Sequence, residues 1–458
     1  MGIETVITEL TSFLGQRLSR SKSDLELHGQ SETHFPLMPP DAVAYPENTQ
    51  EVAEIVRICA RNQVPVIGWG VGTSLEGQAQ APSGGICVDF VRMNRIRKIR
   101  QADMDVTVEP GVTREALNEE LRATGLFFPV DPGANATLGG MASTRASGTT
   151  TVRYGGMRQN VLALEVVTAD GEIIRTGSRA RKTSSGYDLT GLFIGAEGTL
   201  GLITELTLRL QGQPEAVASA VCAFPSIKHA VAAVIDTIQM GIPMARIELV
   251  DVATVQAVNA YSGSELAEAP HLLLEFHGSD SGVAEQSQSF GEIAESHGGA
   301  GFDWATKAED RNALWAMRHN AYHAIKATRP GAQVLVTDVC VPISKLADVI
   351  EETLADIENA GIYAPLVGHV GDGNFHTSMM WEKGDDDQLA TIEAASHRMV
   401  ERALANGGTA TGEHGVGLGK KRYMDREHGP GWAVMGAIKQ ALDPDNIMNP
   451  GKLVPPRN

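Results

Sequence analysis

Apolar residues Ile3, Val6, Ile7, Leu10 and Leu14 recur at a spacing that keeps them on one helical face, so the chain is read as opening with an amphipathic helix. Short β-rich runs broken by Gly follow. VPVIGWG (64–70), GICVDF (85–90), DVTVEPG (105–111), ALEVVTADGEII (163–174) and LGLITELTLRL (200–210) each predict a strand with turn punctuation. Between them TQEVAEIVRICARNQ (49–63), entered by Pro46 and a capping Asn48 or Thr49, and TREALNEELRATG (113–125), stopped by Gly125, predict helices. After QGQPEA (211–216) the texture changes to longer helices, SIKHAVAAVIDTIQMG (226–241) and SKLADVIEETLADIENAG (344–361), alternating with strands such as HLLLEFHG (271–278). ALWAMRHNAYHAI (313–325) reads as one helix, and GWAVMGAIKQALD as the last, before the turn-rich DPDNIMNPGKL. The class is α+β, with no internal repeat.

At 458 residues the chain exceeds a single core of ordinary size. The change of texture near 212 divides it into a first domain over 1–212, with its core from about 35, a second over 213–422, and a segment 423–458 that returns to the first. Hydrophobic residues at 42% and charged residues at 21% describe a globular chain, and no stretch approaches the roughly 18 apolar residues of a spanning helix. The start carries Glu4 and Glu9 and lacks a basic region followed by an apolar block, so neither a secretory signal nor a transit peptide is expected. Val6 stands where a myristoylation signal after Gly2 wants Ser or Thr. Lys plus Arg number 38 against 56 Asp plus Glu, and the resulting −18 opposes binding to nucleic acid or anionic membrane while suiting a basic protein partner. Cys59, Cys87, Cys222 and Cys340 form no Cys-x-x-Cys pair, which fits a reducing compartment, and a cytoplasmic location is expected, with at most peripheral membrane association at its inner face.

Candidate chemistry lies first in the Gly-rich loops. VPVIGWGVGTSLEG (64–77) places Gly68, Gly70 and Gly72 behind a strand, where backbone N–H groups can turn toward phosphate without side-chain hindrance. It is not the dinucleotide fingerprint, since Thr73 and Leu75 stand where Gly is required and no apolar helix follows. One such loop alone reads equally well as a plain turn. The segment VDPGANATLGGMASTRASGTTTVRYGG (130–156) is nearly uncharged and built of small residues, and so long an irregular stretch is typically functional. IGAEGTLGLIT (194–204) repeats the theme.

GVGTSLEG, DPGANATLGGMASTRASG, VRYG and GAEGTLGLIT together resemble the FAD-binding domain of the vanillyl-alcohol-oxidase type (PCMH), in the branch with cytochrome-linked D-lactate dehydrogenases and glycolate oxidase large subunits. The resemblance implies an FAD-binding domain over 1–212 and a substrate, or cap, domain over 213–422. It implies FAD contacts from Gly70, Val71, Gly72, Thr73, Ser74, Pro132, Gly133, Thr137, Gly140, Thr144, Gly148, Glu197, Gly201 and Ile203. GWGVGTS lacks the His through which some relatives attach flavin, so the FAD is expected to be non-covalent. Trp69 and Ala196 depart from the Gly and the Ser or similar small residue commoner there.

In the second half, GHVGDGNFH (368–376) and TGEHGVG (412–418) join His or Glu to Gly. His369, His376 and Glu413 offer two imidazoles and a carboxylate, which suits Zn²⁺, Mn²⁺ or Fe²⁺ with positions left for substrate. Their spacing matches no short zinc motif, so from the residues alone a metal site and ordinary structural histidines both stay open. For an isolated His414 or Arg318, a satisfied histidine and a solvated salt-bridge former are the commoner readings.

The same two motifs occur in D-lactate and D-2-hydroxyglutarate dehydrogenases, and the resemblance makes His369, His376 and Glu413 ligands of a divalent metal, Zn or Mn, and His414 the base, in contact with substrate. It makes Arg318 the residue that grips the substrate carboxylate. TDVCVPISKL (337–346) matches the cytochrome-linked type, and Val336 and Thr337 stand where hydroxyglutarate-oxidising relatives carry Lys just before the position of Asp338, which favours a monocarboxylate. Cys340 is read as a packed thiol.

The implied activity is FAD-dependent oxidation of a small D-2-hydroxy acid, D-lactate to pyruvate. The hydroxyl proton goes to His414, the C2 hydride goes to flavin N5, and the electrons pass to a cytochrome, another acceptor protein or a quinone. A glycolate oxidase catalytic subunit, a dehydrogenase of larger D-2-hydroxy acids, a silent FAD-binding scaffold and a nicotinamide-linked dehydrogenase are the alternatives. Retention of all five chemical residues opposes the scaffold, and the absent fingerprint opposes the last. A homodimer is left open.

Overall fold

In the computed structural model, which describes residues 2–305 and 307–456, the chain forms two compact units. The first comprises Met1–Ser147, Gly155–Gln213 and Glu413–Asn458, and the second Gly148–Tyr154 and Pro214–Gly412. The changeover at 412/413, rather than at 422/423, assigns Glu413 and His414 to the first unit and not to the unit that carries His369 and His376.

The first unit contains two sheets. Its opening helix, Ile3–Leu14, buries Val6, Ile7, Leu10 and Leu14 and packs on the helix Thr49–Arg61. Asn48 caps the latter, its side-chain oxygen accepting from Glu51 N at 3.0 Å. A four-stranded sheet runs in the order Leu18–Ser19, Ala42–Ala44, Ile86–Asp89, Val66–Trp69, and the last three strands are parallel. Buried on both faces, these strands read as continuous apolar runs, as parallel strands do. The second sheet is antiparallel, in the order Ile96–Arg100, Asp105–Val108, Leu202–Arg209, Val161–Val167, Ile173–Arg175. Leu117, Phe128, Met141, Val166, Leu206 and Leu208 pack into the core on this sheet.

The C-terminal segment is part of the first unit. After the helix Pro430–Leu442 the chain pairs in parallel with the strand Val66–Trp69, with Val66 N donating to Ile447 O at 2.7 Å and Asn449 N to Val66 O at 2.9 Å. Lys439, 3% exposed, donates to Thr199 O (2.7 Å), Met448 O (2.6 Å) and Asp443. An unpaired buried ammonium would cost on the order of several kcal/mol, so this set of acceptors is what permits the segment to dock.

The second unit is built on one mixed-length antiparallel sheet. Along its path lie Ala300–Ala305, Ala216–Ala223, His271–Gly278, Met244–Val250, Leu366–His369, Asn374–Trp381 and Gln333–Val336, with Val339–Cys340 also pairing Asn374–Trp381. The helices Ile227–Gln239 and Ile343–Asn359 pack on one another, and Asp280–Ser296 lies on the strands. Residues 313–325, read from the sequence as one helix, belong to two, Ala308–His319 and Ala321–Ala327, which meet at Asn320.

Candidate functional site

In the first unit the Gly-rich loops let backbone pack closely on its neighbours. A Cβ on Gly70 would stand 2.3 Å from Thr137 Oγ1, and one on Gly139 would stand 2.5 Å from Pro110 Cβ. Gly72 has φ +73°, which favours Gly, and the side chain of Trp69 fills the space where its Cβ would point, at 2.5 Å. The Trp69 departure is thereby explained: the ring is 6% exposed, lies 4.7 Å from the ring of His28 at a 49° tilt, and needs a Gly at 72. Val71 is exposed, Thr73 half-buried, and the buried Ser74 Oγ has no hydrogen-bond partner among the described residues. Thr137 precedes the helix Leu138–Thr144, in which Thr144 Oγ1 donates to Gly140 O at 3.2 Å. Pro132 is half-buried and Gly133 exposed.

Gly148 opens the Gly148–Tyr154 segment of the second unit, its N–H donating to Thr151 Oγ1 at 2.9 Å. A Cβ on Gly201 would collide with Val167 O at 2.7 Å, and Ile203 lies in the core of the antiparallel sheet. Glu197 turns its carboxylate to the loop that follows His414, accepting from Val416 N (2.7 Å) and Gly417 N (2.9 Å). Burial pushes its carboxyl above the ordinary value, and these N–H groups, Gln78 and Lys452 offset part of that. Gln78 Nε2 donates to His414 O at 2.6 Å. Gly415, φ +84°, is required between them, since a Cβ would meet Glu197 Oε1 at 2.5 Å and Gln78 Nε2 at 2.6 Å. Glu413 accepts from Ser147 Oγ at 3.0 Å. A buried Ser74 hydroxyl with no partner among the described residues, carried on a Gly-rich loop, fits a phosphate-bearing cofactor such as FAD.

The second unit builds with side chains. His369 and His376 stand on the two strands of a hairpin, in register with Asn374 and Val367, and their rings lie 5.4 Å apart at 78°. His369 Nδ1–H donates to Glu248 Oε1 at 2.6 Å, and His376 Nδ1–H to the Thr337 carbonyl at 2.9 Å. Because a carboxylate and a carbonyl only accept, Nδ1 carries the hydrogen in both rings, which leaves Nε2 as the nitrogen whose lone pair a cation would take. Each offers a ring nitrogen within 4.8 Å of the other's. Such tying of the distal nitrogen is how metal-binding histidines are oriented, so the pair fits a divalent cation.

Glu248, 1% exposed on the strand Met244–Val250, also accepts from Arg318 Nε (2.9 Å), and Arg318 Nη2 lies 2.7 Å from the same oxygen. Burial opposes its ionisation, but His369 and Arg318 hold the carboxyl below the ordinary range. Asp338, 1% exposed, accepts from Asn374 Nδ2 (2.7 Å) and Thr411 Oγ1 (2.6 Å), tying the hairpin to the segment that leads to Gly412. The buried Asn374 Oδ1 has no partner among the described residues. Thr337 is buried against Thr377, their hydroxyls 2.9 Å apart. Cys340 forms no disulfide, and its thiol donates to Asp372 O at 3.2 Å. Glu248 escaped sequence reasoning, although a lone carboxylate within the apolar strand ARIELV signals a buried partner.

Residues 40–177 match a model described as an FAD binding domain, and residues 213–453 match the C-terminal domain of FAD linked oxidases. The chain belongs to the FAD-linked oxidase family. FAD is therefore its cofactor, and it is an FAD-dependent oxidoreductase. It is 48% identical to a probable mitochondrial D-lactate dehydrogenase of Danio rerio, over 99% of this chain and 92% of that one. It is 44% identical to a mitochondrial D-lactate dehydrogenase (cytochrome) of Arabidopsis thaliana, over 98% and 80%. A glycolate oxidase subunit of Bacillus subtilis is 34% identical over 90% and 89%. The structure of p-cresol methylhydroxylase superposes with a TM-score of 0.78 at 16% identity, over 98% of this chain and 96% of that one, and shows the vanillyl-alcohol-oxidase type of fold.

The expected cytoplasmic location is corrected by these relatives, two of which are named mitochondrial. Free cysteines separate reducing from oxidising surroundings, not one reducing compartment from another.

Proposed function

We propose that this FAD-linked oxidase is a D-lactate dehydrogenase that oxidises D-lactate to pyruvate and passes the electrons to a cytochrome or quinone-type acceptor. The carrying observation is the hairpin in which His369 and His376 both have Nδ1 engaged, next to a carboxylate that also holds Arg318. The names of the 48% and 44% identical relatives support the substrate. His369, His376 and Glu413 are the proposed ligands of a Zn or Mn ion, and the FAD is non-covalent.

When bound, the cation eases deprotonation of the 2-hydroxyl and the flavin, at N5, provides the acceptor for the C2 hydride. Arg318 binds the substrate carboxylate by paired donors. Glu248 occupies the Nε side of its guanidinium, so the grip falls to the other edge. His414 takes the hydroxyl proton, on a backbone fixed by Gln78 and by the Glu197 carboxylate beyond Gly415. Thr337, buried and neutral where hydroxyglutarate-oxidising relatives carry a Lys, offers no charge to a second carboxylate, which supports a small monocarboxylate. A glycolate oxidase catalytic subunit is the second reading, supported by the Bacillus relative.

The test is anaerobic bleaching of the flavin absorbance by D-lactate, L-lactate and glycolate, with and without prior chelation. Bleaching by D-lactate alone, abolished by chelator and restored by Mn²⁺, is expected. Faster bleaching by glycolate moves the assignment to the second reading, and chelator-independent bleaching removes the metal.

A further inference from the structure

Resting on the reading just given, we infer that Glu248 is a positioning residue that sets the metal ligand His369 and the carboxylate-binding Arg318 at once. One carboxylate oxygen accepts from His369 Nδ1 at 2.6 Å, and the other accepts from Arg318 Nε at 2.9 Å and lies 2.7 Å from Nη2. Neither partner is on the same element as Glu248: His369 ends the strand Leu366–His369 and Arg318 lies near the end of the helix Ala308–His319. The strand Met244–Val250 pairs directly with Leu366–His369, with Leu249 opposite Gly368, so the sheet brings Glu248 to the imidazole.

The geometry assigns each oxygen a separate task. The first fixes the tautomer of His369, placing its lone pair on Nε2. The second takes the Nε side of Arg318 and turns the remaining edge of the fork outward for a substrate carboxylate. At 1% exposure, Glu248 has no water to replace either partner, so loss of its charge is felt by both. Glu248 touches neither metal nor substrate and acts through the two residues that do.

The experiment uses the flavin-loaded enzyme, stripped of metal by chelation, and its Glu248→Gln variant. Affinity for Mn²⁺ alone is read from the free-ion electron paramagnetic resonance signal, FAD retention from absorbance, and KM and kcat for D-lactate by steady-state assay. Mn²⁺ affinity is expected to fall about 10–100-fold, as when a supporting partner of a metal-bound His is removed. KM is expected to rise about tenfold through the misplaced arginine, with FAD retention unchanged. A change in only one of the two overturns the shared role, and wild-type values for both overturn the inference outright.

Should Glu248→Gln fail to accumulate as folded flavoprotein, Glu248→Asp keeps the charge but is one methylene short of reaching both partners. Wild-type Mn²⁺ affinity and KM in that variant equally overturn the proposal. Wild-type protein that binds no Mn²⁺ sinks the metal reading and this inference with it. Wild-type protein that binds Mn²⁺ but leaves D-lactate unoxidised sinks only the substrate assignment, because Mn²⁺ titration of the two proteins still decides the His369 arm.

Discussion

The loop around Gly70 in the first unit and the hairpin around His369 in the second hold their functional groups by opposite means. Near Gly70 backbone packs closely because side-chain atoms are missing: a Cβ at 70 or 139 would overlap Thr137 or Pro110, and the buried Ser74 hydroxyl has no partner among the described residues. At the hairpin the space is filled, and Glu248, Asp338, Asn374 and Thr337 each fix a neighbour by hydrogen bonds of 2.6–2.9 Å. A site built of backbone is damaged by adding atoms, and one built of ionisable side chains by removing them. Substitutions of opposite kinds should therefore separate FAD binding from the proposed metal site cleanly.

The largest effect is expected from His376→Ala. Removing one of two oriented imidazoles takes away a proposed metal ligand, so metal content and turnover should fall together, turnover by at least about two orders of magnitude, while the flavin spectrum persists. Elemental analysis and absorbance of one preparation decide it. Full metal occupancy in the variant would leave the hairpin histidines with a purely structural part, and loss of flavin would mean the two sites are not separable.

The converse change is Gly70→Val. Its Cβ cannot be placed without displacing Thr137, and overpacking of this kind costs about 1–3 kcal/mol, or roughly 5–150-fold in FAD affinity if it is borne by the cradle. Mn²⁺ binding should be unchanged. Release of FAD during gel filtration, set beside Mn²⁺ titration, reads both sides. Wild-type flavin retention would show that the loop yields, and that close approach there is not what holds FAD.

How much of this was legible in the sequence follows the same division. Gly loops announce themselves, because a long run of small uncharged residues has few structural explanations, and the strands at 66–69, 86–89 and 202–209 and the helix Thr49–Arg61 fall within their periodic or apolar runs. The hairpin was less visible. Asn374–Trp381 is buried at every position, so it shows no alternation, and although GHVGDGNFH marks His369 and His376 as candidate ligands, nothing in it shows the hairpin that brings them together. Residues 313–325 keep a helical composition across the break at Asn320, which no Gly or Pro marks. Glu248 could be recognised as paired but not with what, since its partners lie 70 and 121 residues away and only the sheet brings them together.

A third change concerns Lys452, a side chain that supports backbone in the first unit, and tests whether the loop around Gly70 depends on a buried charge. Lys452, 1% exposed, donates to Gln78 O, Gln80 O and Asn449 Oδ1, beneath the loop that carries Gly70–Gln78. Burial pushes its ammonium from the ordinary 10.5 down to about 7, with Glu197 and Cys87 pulling the other way. Between those two values the unfolded chain holds a proton that the folded chain has released, so stability rises with pH across the window, by about 1.4 kcal/mol per unit for one such group. Below about 7 both states are protonated and the burial penalty is felt in full. Urea midpoints of wild type and Lys452→Met at pH 7 and pH 9 isolate the group, because all other titrations are common to both proteins. Wild type should gain on the variant as pH rises. A difference that stays flat would mean the three carbonyl oxygens keep the ammonium charged throughout, and the loop around Gly70 would then share with the hairpin a reliance on a buried charge.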